Sequence, residues 1–187
     1  MAMPRSSFRS VAGNLVPWHV RCKQVGCVVA LVLATAGCGG HKAADERLVQ
    51  GTGYTFRAPA TWQIVRTARQ VQAAEGKRSL ALVSVSRLPL LRAFRPDLWQ
   101  KVVPELDRVA DGLSRQQQGS VTESKSTTIG GENARRYRIA YDLRGKKLVE
   151  EVAFVLRGKT EFLLLCRYEQ TASHDACDRL LSSFRLA

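Results

Sequence analysis

Histidine is scarce in this chain. Of 187 residues only three are histidine, and only His41 and His174 lie beyond residue 37. A nucleophile–base triad needs an imidazole or an equivalent base, and a zinc centre needs several ligands at set spacing. His41 lies in a small polar stretch and His174 beside a helix start, so both read as solvated surface residues. Cys166 and Cys177 do not make a zinc pattern. Gly51-Thr52-Gly53 precedes a strand rather than a helix, which excludes a phosphate-cradling loop. Glu150 and Glu151 are neighbours in a strand and point to opposite faces, so they do not form an acid/base pair. No catalytic residue, metal ligand or cofactor is expected, and the protein reads as a non-enzyme.

Acidic residues are absent from the first 44 positions, and no apolar run approaches the roughly 20 residues that span a bilayer. The apolar run Val25 to Gly37 has 13 residues, carries no charge and follows a basic segment bearing Arg5, Arg9, Arg21 and Lys23. That is the build of a secretory signal. It ends in Leu33-Ala34-Thr35-Ala36-Gly37-Cys38, which resembles the lipobox of bacterial lipoproteins. Small residues there fit the signal peptidase, and the Cys38 thiol accepts the diacylglyceryl group. Thr35 stands where an aliphatic residue is usual. An ordinary cleavage site at Ala34-Thr35-Ala36 is the competing reading. Two acyl chains, at about 0.8 kcal/mol per buried CH₂, hold a protein at a membrane where one holds it marginally. The expected organisation is therefore a signal over residues 1–37, a lipidated Cys38 with a flexible tether over 38–51, and a folded domain over 52–187. The expected location is the extracytoplasmic face of the cell membrane.

The five cysteines divide in the same way. Cys22 and Cys27 fall in the leader, Cys38 at its end, and Cys166 and Cys177 in the folded part. An exported domain permits oxidation, and the short link between the last strand and last helix can bring this pair together as a disulfide. Two buried free thiols are the alternative. Charge is one-sided. Four of the 29 basic residues and none of the 16 acidic ones precede Cys38, which leaves 25 against 16, a net +9. Such a surface attracts polyanions. Outside the cytoplasm these are anionic lipid or acidic wall polymer, and nucleic acid is not expected.

Alternation predicts strands over residues 54–58, 62–67, 80–88, 120–128, 134–143, 148–157 and 160–168. Gly130-Gly131, Arg144-Gly145 and Arg157-Gly158-Lys159 mark turns, too short for anything but antiparallel neighbours. Leu98, Val102, Leu106, Val109 and Leu113 predict a core-facing helix over 96–117, with Pro104 inside it. A second helix over 173–184 carries Cys177, Leu180, Leu181 and Phe184 on one face, with Ser173 as its cap. The class is α+β, an antiparallel sheet with helices packed on it. Arg135, Arg136, Arg138, Arg144, Lys146, Lys147, Arg157 and Lys159 gather in two neighbouring hairpins, which predicts a basic edge for contact with an anionic surface. A merely solvated face is the plainer reading.

Tyr54-Thr55-Phe56 followed by Pro59-Ala60-Thr61-Trp62 resembles the opening of PsbP-like domains. So do Gly130-Gly131 through Ala134-Arg135-Arg136-Tyr137, and the final Leu181-Ser182-Ser183-Phe184. The resemblance covers about residues 52–186 and implies an α/β/α sandwich. That family includes photosystem subunits, Ran-binding Mog proteins and many bacterial lipoproteins, and it implies a non-catalytic accessory role. It transfers no functional residue. The leading expectation is a lipid-anchored binding module of the cell envelope that docks a protein or polymer. The alternative is a carrier of an apolar or lipid ligand, with an enzyme ranked last.

Overall fold

Period-two burial runs through most of the chain, and it sorts the side chains onto two faces of one large sheet. The computed structural model describes residues 45–76 and 79–187. The leader, Cys38 and His41 lie outside the described residues. The large sheet contains β3 (Gln63–Arg66), β4 (Gln70–Ala74), β5 (Leu82–Phe94), β6 (Ser120–Ile129), β7 (Glu132–Leu143) and β8 (Lys146–Glu169). Its order is β3-β4-β5-β8-β7-β6, antiparallel throughout.

The β8 run is a hairpin. A straight strand of 24 residues would hold its ends about 75 Å apart. Instead the Gln170 amide donates to the Lys147 carbonyl at 2.9 Å, and Arg167 reaches Glu150 at 2.8 Å. The chain turns back at Gly158, whose φ of 55° suits the first central position of a two-residue turn. The first arm pairs with β7 and the second with β5. The expected turn at Arg157-Gly158-Lys159 is therefore present.

One face of the sheet presents Tyr137, Ile139, Tyr141, Leu148, Val152, Phe154 and Leu156 to α1 (Trp99–Gln116). The other presents Ala134, Val155, Phe162, Leu164 and Cys166 to α2 (Asp175–Ser183) and to a small second sheet. That sheet has the order β1-β2-β9, formed by β1 (Glu46–Gly51), β2 (Tyr54–Pro59) and β9 (Arg185–Leu186). Helix, sheet, then helix with small sheet make three layers, the α+β sandwich expected.

Four elements differ from expectation. The tether was drawn through residue 51, but Glu46–Gly51 is β1, paired residue by residue with β2. Only Val49 turns inward while Leu48 stays 63% exposed, so its apolar signal is a single residue. β4 and β9 were also missed, since Gln70–Ala74 is mostly Gln and Ala and Arg185–Leu186 is two residues long. The buried stripe of α1 is Trp99, Leu106, Ala110 and Ser114, whereas Val109 is 48% exposed. Pro104 does not divide the helix; it sits on the exposed side of a continuous run. The N-cap of α2 is His174 rather than Ser173, which sits one residue further out and whose hydroxyl accepts the Asp175 amide at 3.1 Å.

Gly130 shows how tightly the small elements close on the sheet. It adopts φ 62° in the β6–β7 turn, and a Cβ there would lie 3.0 Å from the Phe184 ring. Both the backbone conformation and the buried ring require glycine.

Candidate functional site

Three polar networks tie the layers together. On the α2 side of the sheet, Glu151 is nearly inaccessible. It accepts hydrogen bonds from Arg136, from Arg138 at 3.0 Å and from the Tyr168 hydroxyl at 3.0 Å. Burial alone would raise this carboxyl. The hydrogen bond and charge of Arg136, then those of Arg138 and Tyr168, outweigh it and hold Glu151 below the usual carboxylate range. The same desolvation, with the adjacent Glu151 charge, pushes the Tyr168 phenol up to about 12.

On the α1 side, Glu150 is equally buried and takes both Arg167 hydrogen bonds, at 2.8 and 2.9 Å. Gln117 donates to it at 3.0 Å and Tyr141 at 3.2 Å. A third set joins Asp107 of α1 to Tyr137 at 2.7 Å and to Arg135 at 3.0 Å. The Asp107 carboxyl is lowered: burial opposes this, and the bonds from Tyr137 and Arg135 prevail. The adjacent glutamates thus face opposite layers, each committed to an internal arginine. Nothing in these networks pairs an acid with a base in an open cleft. Among the described residues no three His, Cys, Asp or Glu side chains are placed to hold a metal ion.

The eight basic residues singled out in the sequence do not share one edge. Arg135, Arg136 and Arg138 lie along β7 and are absorbed by Asp107 and Glu151. Arg144, Lys146 and Lys147 form the β7–β8 turn, where Lys146 pairs with Glu169. Arg157 and Lys159 form the turn inside β8, and Arg157 lies 3.7 Å from Glu132. Successive turns of an antiparallel meander fall at opposite ends of the sheet. An arm of 12 residues, Lys146 to Arg157, puts about 40 Å between these two turns.

The N-terminal end of the domain is the Arg144 end. Glu46 opposes Pro59, and Pro59 shares a groove with Ala81, Tyr168 and Ser173. Thr52 and Gly53, at the other tip of the β1–β2 hairpin, share a groove with Arg157 and Gly158. At the Asp45 end, Arg144, Lys146, Lys147, Arg167 and Arg179 lie with Asp45, Glu75, Glu169 and Asp175. At the Gly158 end, Arg157 and Lys159 are joined by Arg66, Arg69, Arg87 and Arg185, all exposed. Arg66, Arg69, Arg87, Lys159 and Arg185 form no ion pair with a described residue. Sequence reading missed these four arginines because they are scattered over 120 positions and only the topology unites them.

Cys166, late in β8, and Cys177, in the first turns of α2, form a disulfide with Cα atoms 5.5 Å apart. His174 is exposed and lies 3.2 Å from Asp178. An open groove of about 360 Å³ runs between α1 and the far part of β5, lined by Leu90, Phe94, Leu98, Val102, Val109 and Leu156. Part of the stripe assigned to the core in the sequence thus faces this groove. Glu161 also lines it, and burial pushes that carboxyl up.

An antiparallel meander covered by one long helix on one face, and by a short helix and a small sheet on the other, is the PsbP-like α+β fold. Solved structures agree. The solution structure of cyanobacterial PsbP (CyanoP) from Synechocystis matches 82% of this chain and 99% of its own, with a TM-score of 0.55 at 16% identity. A crystal structure from Bacteroides thetaiotaomicron matches 76% of this chain with a TM-score of 0.55 at 9% identity. The chain spans about half, 48%, of that second protein. No protein-family model and no curated protein matches the sequence. At such identities the likeness is one of fold. Among the described residues no helix is long and apolar enough to cross a membrane.

Proposed function

We propose that this protein is an exported, lipid-anchored, non-catalytic binding module of the bacterial cell envelope. One observation carries the reading. A basic segment, a short apolar run and small residues end at Cys38, seven positions before the first described residue of the fold. The disulfide agrees with it, since such bonds persist in oxidising compartments. The accessory role draws on the commitment of the adjacent buried carboxylates Glu150 and Glu151 to internal arginines. The anchor is tested by growing cells with labelled palmitate. The wild type is expected to carry label and to sediment with membranes. Cys38→Ala is expected to lose both, and a labelled Cys38→Ala protein would overturn the assignment.

A second reading, carriage of an apolar ligand, is favoured only by the Leu90–Val109 groove. It is open to solvent and near the lower limit of ligand sites, roughly 300–1,000 Å³. Mass spectrometry of an organic extract of the purified protein is expected to return no stoichiometric lipid beyond the Cys38 anchor. One lipid per chain, lost on Leu98→Asp, would make the carrier reading the better one.

A further inference from the structure

We infer that two copies of this chain pair through the groove between α1 and β5, each inserting Leu91 into the other's groove and presenting Arg92 to the other's Glu161. The inference goes beyond the anchored reading above and does not depend on Cys38. Three observations combine. First, β5 swells beside the groove. Pro89 opposes Thr160 of β8 and Phe94 opposes Gly158, so four residues, Leu90 to Ala93, face Lys159 alone. Leu90, Arg92 and Ala93 line the groove, and Leu91 stands out between them at 103% exposure, the most exposed large apolar side chain among the described residues. Second, the groove is an unfilled apolar site of about 360 Å³. Its helix side runs from Leu98 to Val109, about 16 Å at 1.5 Å per residue, and Val109 is itself an exposed apolar side chain. Third, one charge of each sign is left over. Of the two carboxylates that line the groove, Glu105 pairs with Arg108 at 2.6 Å. Glu161 forms no ion pair with a described residue, and neither does Arg92.

These features share one patch, and that decides the occupant. A site for an unrelated partner needs only the hole. A twofold pair needs a knob and a hole on the same surface, because every contact is made twice. Leu91 is the knob, and the apolar walls are the hole. The charges follow the same rule: the knob carries a free cation, Arg92, and the hole a free anion, Glu161. Glu161 sits opposite Leu88 in the β5–β8 ladder and is only partly exposed, so burial raises its carboxyl while no counter-charge lies beside it. The partner's guanidinium supplies that counter-charge, in a fork that suits a carboxylate. Pairing also covers Leu91 and Val109, apolar surface that a monomer leaves in water. The patch is small: the eleven lining residues and Leu91 compare with roughly 20–30 residues a side in a standard interface. The dimer is therefore weak and forms as concentration rises.

The test is sedimentation equilibrium of the full mature protein in neutral, density-matched detergent, over a concentration series. The wild type is expected to rise from the mass of one chain to that of two. Leu91→Asp is expected to weaken self-association about tenfold or more, because it sets a carboxylate into the apolar groove. Leu48→Ser, at an exposed leucine of β1, is expected to leave it within about twofold. Arg92→Glu and Glu161→Lys each place like charges together twice in a dimer, and each alone is expected to lose about tenfold or more. An equimolar mixture of these two variants restores both opposite-charge contacts, and it is expected to associate within about threefold of the wild type. An arginine that merely folds back on Glu161 of its own chain cannot produce that recovery. A wild type that stays at the mass of one chain overturns the proposal. So does a mixture that associates no better than its two components, or a loss in Leu48→Ser equal to that in Leu91→Asp. Leu91, Arg92 and Leu48 are exposed, and unchanged melting curves show that the variants fold. If Glu161→Lys does not fold, the contrast between Leu91→Asp and Leu48→Ser decides.

Discussion

Glu151→Ala is expected to destabilise the domain by about 3 kcal/mol, read as a lowered urea midpoint with an unchanged slope. The carboxylate is 1% exposed and accepts from Arg136, Arg138 and Tyr168. Its removal leaves two partly exposed guanidiniums and the buried Tyr168 phenol without their shared acceptor. Breaking a buried pair from one side costs about 3–5 kcal/mol, because the surviving charge keeps its desolvation penalty. The lower figure applies here. Arg138 is 41% exposed and keeps Glu123 at 3.5 Å, so it can turn toward water. Arg136, 23% exposed, has no such exit. Glu123→Ala removes an exposed partner of the same arginine and is expected to cost under about 1 kcal/mol. Equal midpoints for the two variants would refute the buried network.

The network also sets the acid limit of stability. The Glu151 carboxyl lies below its ordinary value in the folded state, so its contribution is complete above the unfolded pKa of about 4.3 and is lost as pH falls through the folded value. Glu161 acts in the opposite sense. Burial raises its carboxyl, so folding gains from it at low pH and loses as pH climbs through the interval between its unfolded and folded values. The gap between wild type and Glu151→Gln should therefore close on acidification, while the gap between wild type and Glu161→Gln should open as pH rises from 4 towards neutrality.

The parts of this fold legible in the sequence are those with a strong local signal. β7 alternates Tyr137, Ile139 and Tyr141 against Arg136 and Arg138, and that pattern placed each side chain on its correct face. The hairpin at Gly158 was readable for the same reason, even though its two arms form one unbroken run of extended residues. β1, β4 and β9 were not, because strands that cover an edge with one or two inward residues leave almost no periodicity. The α1 stripe misled in an instructive way. Leu98, Val102 and Val109 share a helical face with Leu106, yet the sheet takes Trp99, Leu106 and Ala110, and the neighbouring face lines an open groove. The periodicity shows that a face is apolar and not which element covers it.

The basic cluster carries a similar lesson. Residues 135–159 are rich in arginine and lysine, and their nearness in sequence suggested one surface. Three of those residues are spent on Asp107 and Glu151 inside the fold. The rest split between turns at opposite ends, as alternation in a meander requires. The Gly158 end draws on Arg66, Arg69, Arg87 and Arg185 as well, residues that only the β3–β4 turn, β5 and β9 bring to the same end.

Loss of the Cys166–Cys177 bond is the second large effect expected. The bridge closes a loop of 11 residues. The chain-entropy relation assigns that loop about 3 kcal/mol at 25 °C. The structure adds where the loss should fall. α2 has nine residues, too few to hold a helix in isolation, and it stays in place through Leu180, Phe184, the Ser183 hydroxyl that accepts the Arg57 amide at 2.8 Å, and the disulfide. α1 is twice as long and keeps its own core with β7 and β8. In the double variant Cys166→Ala, Cys177→Ala, hydrogen exchange in α2 and β9 is therefore expected to accelerate well before that in α1, since β9 is reached only through α2. Equal acceleration in α1 and α2 would mean that the bond acts on the whole domain rather than on one layer. Unchanged exchange would mean that packing around Phe184 alone secures α2. The expected order ties stability to compartment: in a reducing environment the layer that carries α2 and the small sheet is the first to open, whereas outside the cytoplasm the bond keeps the β1–β2 hairpin, and with it the groove walls at Thr52 and Gly53, fixed against the basic end of the sheet.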